Sequence, residues 1–340
     1  MYKNLKKLTI IIPTYNRETS LKKVIKFWQH IPYLKFLILD GGNKPQNKNL
    51  KKIINSQFKY LHFKGSSLSE RVFLSHKYIK TKYTILCCDD EFYNPEGLLE
   101  CVNYLEKNFK ASCCMGDLVL GFRKRSKGTI FFKMYPQFSN NFKLKSKNKI
   151  NRVLEFFSSN SNRPSMYSVI RSNHFKKISK FCKNIDKYKC MDIYELIFDI
   201  YLSYNGDVKS IKSFYWYRNK INDVITRRKM NFFKFWNLKS NNKLKNKFIN
   251  DVMKLLNNKK IESNLNELFS DYTKYDFRNI KNIRNNLILR LKKILPKKVY
   301  EPIQKKNQKE MYFDEMAKML DLNHYLISLK TLNKIENFTK

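Results

Sequence analysis

Two short apolar runs that end abruptly in polar residues constrain this chain more than anything else in it: Leu8–Arg17 (LTIIIPTYNR) and Thr84–Phe92 (TILCCDDEF). A strand of a parallel sheet is buried on both faces, so it reads as a continuous apolar run, and ligands collect beyond its carboxyl end. The first run closes in Pro13-Thr14-Tyr15-Asn16-Arg17 and the second in three consecutive acids, Asp89-Asp90-Glu91. Between them Phe36–Gly42 (FLILDGG) reads as a third strand, closing in Asp40 and two glycines. Carboxylates at a strand end can hold a hard divalent cation against a phosphate.

Helical periodicity fills the gaps. Leu21, Val24, Ile25 and Trp28 recur at helical spacing after the first strand, and Ser69–Ile79 reads as a helix leading into the Thr84–Cys88 strand. Asn94 followed by Pro95 is an N-cap with a first-turn proline, opening a helix with Leu98, Val102, Leu105 and Phe109 on one stripe. Ala111–Phe122, Thr129–Met134 and Ser165–Arg171 read as strands, and Pro136–Lys149 as a polar loop. Cys190–Tyr204 is a helix with Ile193, Leu196, Ile197, Ile200, Tyr201 and Tyr204 on one face, and Asp207–Asn219 a strand dense in aromatics. This alternation predicts a three-layer α/β domain.

Composition narrows the function classes. The net charge of +41 favours anionic partners such as nucleoside diphosphates, anionic lipid or nucleic acid, although Lys- and Asn-rich codon usage accounts for part of it. An apolar fraction of 42% is enough for a real core. The seven cysteines include the pairs Cys87-Cys88 and Cys113-Cys114 but no CxxC spacing, which argues against zinc or a disulfide framework and for a reducing compartment. No uncharged run reaches the ~18 residues that span a bilayer, and Pro13 and Arg17 break the apolar stretch near the start, so a cytoplasmic protein without a signal peptide is expected. The five histidines are scattered without ligand spacing.

Taken in order, the opening Thr9–Arg17, the Asp40-Gly41-Gly42 strand end, the Ser69-Glu70-Arg71 helix start and the Asp89-Asp90-Glu91 segment resemble the nucleotide-sugar-binding half of the family 2 inverting glycosyltransferases. The resemblance covers roughly Leu8–Asn219. It implies the GT-A fold, a Rossmann-like three-layer α/β/α domain with a mostly parallel sheet, and transfer of a sugar from a nucleoside diphosphate donor with inversion. The chain departs from the pattern in two places. The metal-binding "DxD" ends here in Glu91, and Gly41 and Asn43 stand near where a second Asp and a Ser usually follow Asp40. The expected layout is a GT-A domain over 1–222, with a nucleotide-sugar half at about 1–116 and an acceptor half at about 117–222, then a basic helical region over 223–340.

Glycosyl transfer needs a neutralised leaving diphosphate, a base for the acceptor hydroxyl and a held nucleotide. For the first, Asp89 and Glu91 alternate on an extended chain and would converge on one Mn2+ or Mg2+ ion, with Asp90 between them at the donor. For the nucleotide, most simply the uridine form, the resemblance implies Pro13, Tyr15 and Arg17 at the strand end, Tyr15 stacking on the base, Asp40 accepting from the base or ribose, and Arg71 near base or diphosphate. For the base catalyst it implies an acid at the start of a late helix: Asp192 first, Glu195 second. At about 100° per residue those two share a face with Asp199. Tyr215-Trp216-Tyr217-Arg218 resembles an aromatic–arginine stretch near the acceptor end of some relatives.

The acceptor is expected to be a glycan or lipid-linked molecule, and nucleic acid is not expected as a partner. The mixture of cations and aromatics at Arg227–Trp236 and the basic amphipathic stripe at Ile280–Lys298 predict peripheral contact with anionic membrane at the cytoplasmic face. The rival reading is a non-catalytic basic protein that binds nucleic acid or anionic membrane through a degenerate domain of the same fold.

Overall fold

The computed structural model of the chain describes residues 2–45, 48–123, 130–134, 142–158, 165–219 and 231–274. The three diagnostic runs are neighbouring parallel strands: β1 (Leu8–Thr14), β2 (Lys35–Asp40) and, on the other side of β1, β4 (Tyr83–Leu86). β3 (Phe58–His62) adds outside β2, so the first half of the sheet reads β3-β2-β1-β4, all parallel. This is the α/β layout of the GT-A fold. Helices α1 (Glu18–Trp28), α2 (Lys48–Ile53) and α3 (Leu68–Ser75) make the crossovers that parallel pairing requires. Pro13 is tolerated in a central strand because β4 pairs with β1 only from Leu8 to Ile11, so nothing asks for the missing N–H.

The second half of the sheet is mixed. β8 (Val169–Arg171) runs antiparallel to both β4 and β6 (Ala111–Arg123), and β9 (Asp207–Asn219) lies parallel to β6. The short β5 (Phe92–Tyr93) pairs antiparallel with the far side of β9, and β7 (Ile130–Met134) pairs with the end of β6. That arrangement brings the aromatic strand β9 alongside the segment that follows the acidic trio. Helices α4 (Pro95–Lys107), α5 (Lys149–Ser158), α6 (Ser172–Cys182) and α7 (Asp192–Asn205) cover this half.

Some expected elements end differently. Phe109 does not join the α4 stripe: the helix stops at Lys107 and the ring is 77% exposed. Ser165–Tyr167 is a 3-10 turn, and only Val169–Arg171 of the expected strand pairs. Asn94 caps α4 through its backbone while its side chain donates to the Phe214 carbonyl, tying the helix to β9.

Beyond residue 230 the described chain is helical, as α8 (Phe232–Asn237), α9 (Asn242–Leu256) and α10 (Glu262–Lys274). Their aromatics turn inward. Phe232, Phe235, Phe248 and Phe269 are buried against one another with ring centroids 5.4–6.5 Å apart. Asp251 of α9 accepts from both Lys187 and Tyr188 at 2.6 Å. Of the aromatics within Arg227–Trp236, Phe232 and Phe235 are thus buried in this cluster, while residues 227–230 lie outside the described residues. The Ile280–Lys298 stripe lies outside the described residues. Among those described, no helix is long and apolar enough to cross a membrane.

Candidate active site

The chain leaves β4 after Leu86 and makes a turn at Asp89–Asp90 rather than continuing extended. The rule that alternate side chains point the same way therefore fails here, and Asp89 and Glu91 part company. Asp89 is buried and turns toward β1, where it accepts from Thr14 Oγ1 at 2.7 Å and pairs with Arg17 Nη1 at 2.9 Å. Burial pushes its carboxyl up to about 6, with Thr14 and Arg17 opposing. Asp90 pairs with the other arm of the same guanidinium. Arg17 thus forks across both carboxylates from the start of α1, the geometry a planar guanidinium favours.

Glu91 points the other way, toward β9. Its carboxylate accepts from Trp216 Nε1 at 2.9 Å and pairs with Arg218 Nε at 3.2 Å. Trp216 and Arg218 are two residues apart on one strand, so they share a face. Burial of Glu91 pushes its carboxyl up to about 8 despite the opposing Arg218 charge. The donor atoms of Cys88, Asp90 and Glu91 lie within 4.8 Å of one another, while Asp89 is held by Thr14 and Arg17. This donor set fits a divalent cation in its chemistry, since two carboxylates and a thiol stand within 4.8 Å of one another on a tight turn.

The nucleotide-side residues gather at the same strand ends. Tyr15 follows β1, is 44% exposed and lies with its ring 5.8 Å from the Arg71 guanidinium carbon. Arg71, on α3, is buried, donates from Nη1 to the Ser66 carbonyl, and has its Nε without a hydrogen-bond partner among the described residues. Burial draws its pKa down while Asp40 and Asp89 oppose. Gly41 explains how the guanidinium fits: a Cβ there would sit 1.7 Å from Arg71 Nη1 and 2.7 Å from the Ser66 carbonyl oxygen. The glycine standing after Asp40 is the space the arginine fills.

Asp40 closes β2. It is fully buried, its Oδ1 accepts from the Gly42 N–H at 2.8 Å and its Oδ2 from the Tyr60 hydroxyl. Both contacts hold the turn that follows β2. Pro13 lies within β1, in register with Leu39.

Of the two candidate bases, Asp192 opens α7 and accepts the Phe232 backbone N–H at 2.9 Å, joining the first turn of α7 to the start of α8. Glu195, one turn on, stands in the electrostatic surroundings of Tyr167, as do Glu91 and Cys88. Tyr167 stacks on Trp216 with centroids 4.6 Å apart, and its hydroxyl lies 3.9 Å from Cys88 Sγ. Tyr167 and Trp216 thus form one aromatic stack that ends on the Glu91 carboxylate. Asp199, the third acid of that helix face, accepts the Ser165 N–H at 3.0 Å, and burial pushes its carboxyl well up. Thr14, Tyr167 and Cys88 are site residues that the sequence reading did not single out; only the alternation of Trp216 and Arg218 on β9 gave a signal for that wall.

The model of the family described as "Glycosyl transferase family 2" matches residues 9–178. Among solved structures the chain is similar to S. aureus TarS 1-349 in complex with UDP-GlcNAc, at 13% identity over 78% of this chain and 71% of that one, with a TM-score of 0.48. It is also similar to S. aureus TarS 1-349, at 10% identity over 98% and 80% with a TM-score of 0.47, and to TarS 1-349 in complex with UDP, at 12% over 78% and 70% with a TM-score of 0.46. A search of the curated proteins gives no match.

Proposed function

Since the chain belongs to glycosyl transferase family 2, we propose that it is a metal-assisted, inverting glycosyltransferase taking a nucleoside diphosphate sugar, most simply the uridine form, to a glycan or lipid-linked acceptor. The observation carrying this reading is the convergence, at the carboxyl ends of β1 and β4, of an exposed aromatic, two arginines and a turn of acids: Tyr15, Arg17, Arg71 and Asp89–Glu91. Tyr15 offers its face to the base, and the Arg71 guanidinium beside it supplies an unsatisfied buried donor. Asp90 and Glu91 are the carboxylates for a divalent ion, Mn2+ or Mg2+, which when bound offsets charge on the leaving diphosphate.

Arg17 and Arg218 neutralise these acids in the chain as it stands. A diphosphate entering the site offers both guanidiniums a stronger partner, so each can turn from carboxylate to phosphate. The acceptor hydroxyl needs a carboxylate to take its proton as the new bond forms. Glu195 is favoured over Asp192 for that role, because Glu195 shares surroundings with Glu91 through Tyr167 while Asp192 carries the Phe232 N–H. The test is release of nucleoside diphosphate from a panel of donor sugars by the full chain with Mn2+ and with chelator. Metal-dependent release from at least one donor, lost in Asp90→Asn/Glu91→Gln, supports the reading. Nucleotide binding equal in Mn2+ and in chelator, and unchanged in that double variant, overturns it.

A further inference from the structure

The acidic turn contains an atom that an ordinary magnesium or manganese site does not use. We propose that Cys88 Sγ is itself a ligand, making this a mixed sulfur–oxygen site that takes borderline and soft divalent ions, zinc and cadmium, ahead of Mn2+, and Mn2+ ahead of Mg2+. The inference rests on the reading that this turn holds the divalent ion, and goes further by naming its third donor and its metal preference.

Geometry is the first support. Cys88 Sγ and one oxygen each from Asp90 and Glu91 lie within 4.8 Å of one another. Ligands bound to one ion at bond lengths of about 2.0–2.3 Å stand roughly 3.3–4.5 Å apart, so a small closure around an ion suffices. The turn itself produces this: the Glu91 N–H reaches back to the Cys88 carbonyl at 3.4 Å, folding residue 88 against residue 91.

The second support is the contrast among the cysteines. All seven are free, and Cys87, Cys101, Cys113, Cys114, Cys182 and Cys190 are buried as small apolar side chains; Cys88 alone is partly open. Its adjacent twin Cys87 shows the difference, since Cys87 Sγ turns inward to the Cys88 and Glu91 carbonyls while Cys88 Sγ looks toward the acids and the Tyr167 hydroxyl. Cys88 is thus the one cysteine of the seven whose sulfur stands among carboxylate oxygens rather than in the apolar core.

The chemistry follows. On binding, the Cys88 S–H bond breaks, a metal–sulfur bond forms and the proton passes to solvent. A thiolate is a soft donor that Mg2+, with its demand for oxygen ligands in octahedral geometry, gains little from, whereas zinc and cadmium gain much.

The experiment uses the full chain, stripped of metal and kept reduced with a phosphine, titrated with Cd2+ and separately with Mn2+. Wild type should develop the ultraviolet thiolate-to-cadmium charge-transfer band, saturating at one equivalent. Cys88→Ser and Cys88→Ala should lose that band and ~10-fold or more in Cd2+ affinity, with Mn2+ affinity falling far less; circular dichroism of each variant checks the fold. An equal band in both variants would assign the sulfur to another cysteine and overturn the proposal. So would Mn2+ binding with no cadmium band in wild type, an outcome that leaves the oxygen-ligand reading standing. Absence of any metal binding by wild type removes both.

Discussion

Replacing Glu91 by glutamine should have opposite effects on stability and on metal binding. In the empty site Glu91 is 5% exposed, and its carboxyl is pushed up to about 8 from an unfolded value near 4.5. Between those two pH values the folded chain holds a proton that the unfolded chain has released. Stability must therefore fall as pH rises through this window, and stay level with respect to this group on either side of it. Each pH unit within the window carries about 1.4 kcal/mol at most, so the full cost above pH 8 is on the order of 5 kcal/mol. Glutamine keeps an oxygen for Trp216 Nε1 and removes the titration. Asp89, at about 6, and Asp117, also raised by burial to about 7, contribute slopes of the same sign in both proteins, so the quantity to follow is the difference between them. Urea unfolding in chelator at pH 5, 6, 7 and 8 should show Glu91→Gln gaining on wild type with every step. Adding Mn2+ at a hundredfold its dissociation constant at pH 8 should then return about 2.7 kcal/mol to wild type and little to the variant. A stability difference that stays constant across the range would mean that Arg218 and Trp216 keep Glu91 ionised throughout, and the burial argument would be wrong.

Two further outcomes separate roles within the site. Glu195→Gln should leave nucleotide binding nearly intact and cut turnover by ~10²-fold or more, while Asp192→Asn, which still offers an oxygen to the Phe232 N–H, should be milder; the reverse order in steady-state kinetics returns the base to Asp192. Gly41→Ala should expel the Arg71 guanidinium and weaken nucleoside diphosphate binding by ~10-fold or more. In calorimetry the Gly41→Ala/Arg71→Ala double variant should lose clearly less than the sum of the two single losses, the remainder coming from the Ser66 carbonyl oxygen 2.7 Å from the new Cβ, and fully additive losses would break the link between the two positions.

What the sequence made legible follows from what its patterns encode. Continuous apolar runs located β1, β2 and β4, and alternation placed β9 at Asp207–Asn219, because both signals are local properties of a strand. The acidic turn was visible but its geometry was not. Treating Thr84–Phe92 as extended to its end put Asp89 and Glu91 on one side, whereas β4 stops at Leu86 and the turn separates them. The partners that settle each carboxylate are remote: Arg17 lies 73 positions from Asp90, and Trp216 lies 125 from Glu91. No periodicity reports such pairs. The same holds for Asp40, whose role as a turn-holder depends on Tyr60 arriving from β3.

The hydrogen bond from the Phe232 N–H to Asp192 has a consequence for how this protein can change over time. The helix bearing both candidate bases begins where the carboxyl-terminal helices hold it, and those helices are anchored again through Asp251 to Lys187 and Tyr188, just upstream. Substitutions in α8 or α9 that never meet a substrate can therefore tilt the first turn of α7 and retune the reaction. A chain cut back to residues 1–219 would keep α7 but lose this brace on its first turn. Drift in α8 and α9 is thereby coupled to the first turn of α7, through residues that a survey of the strand ends would never select.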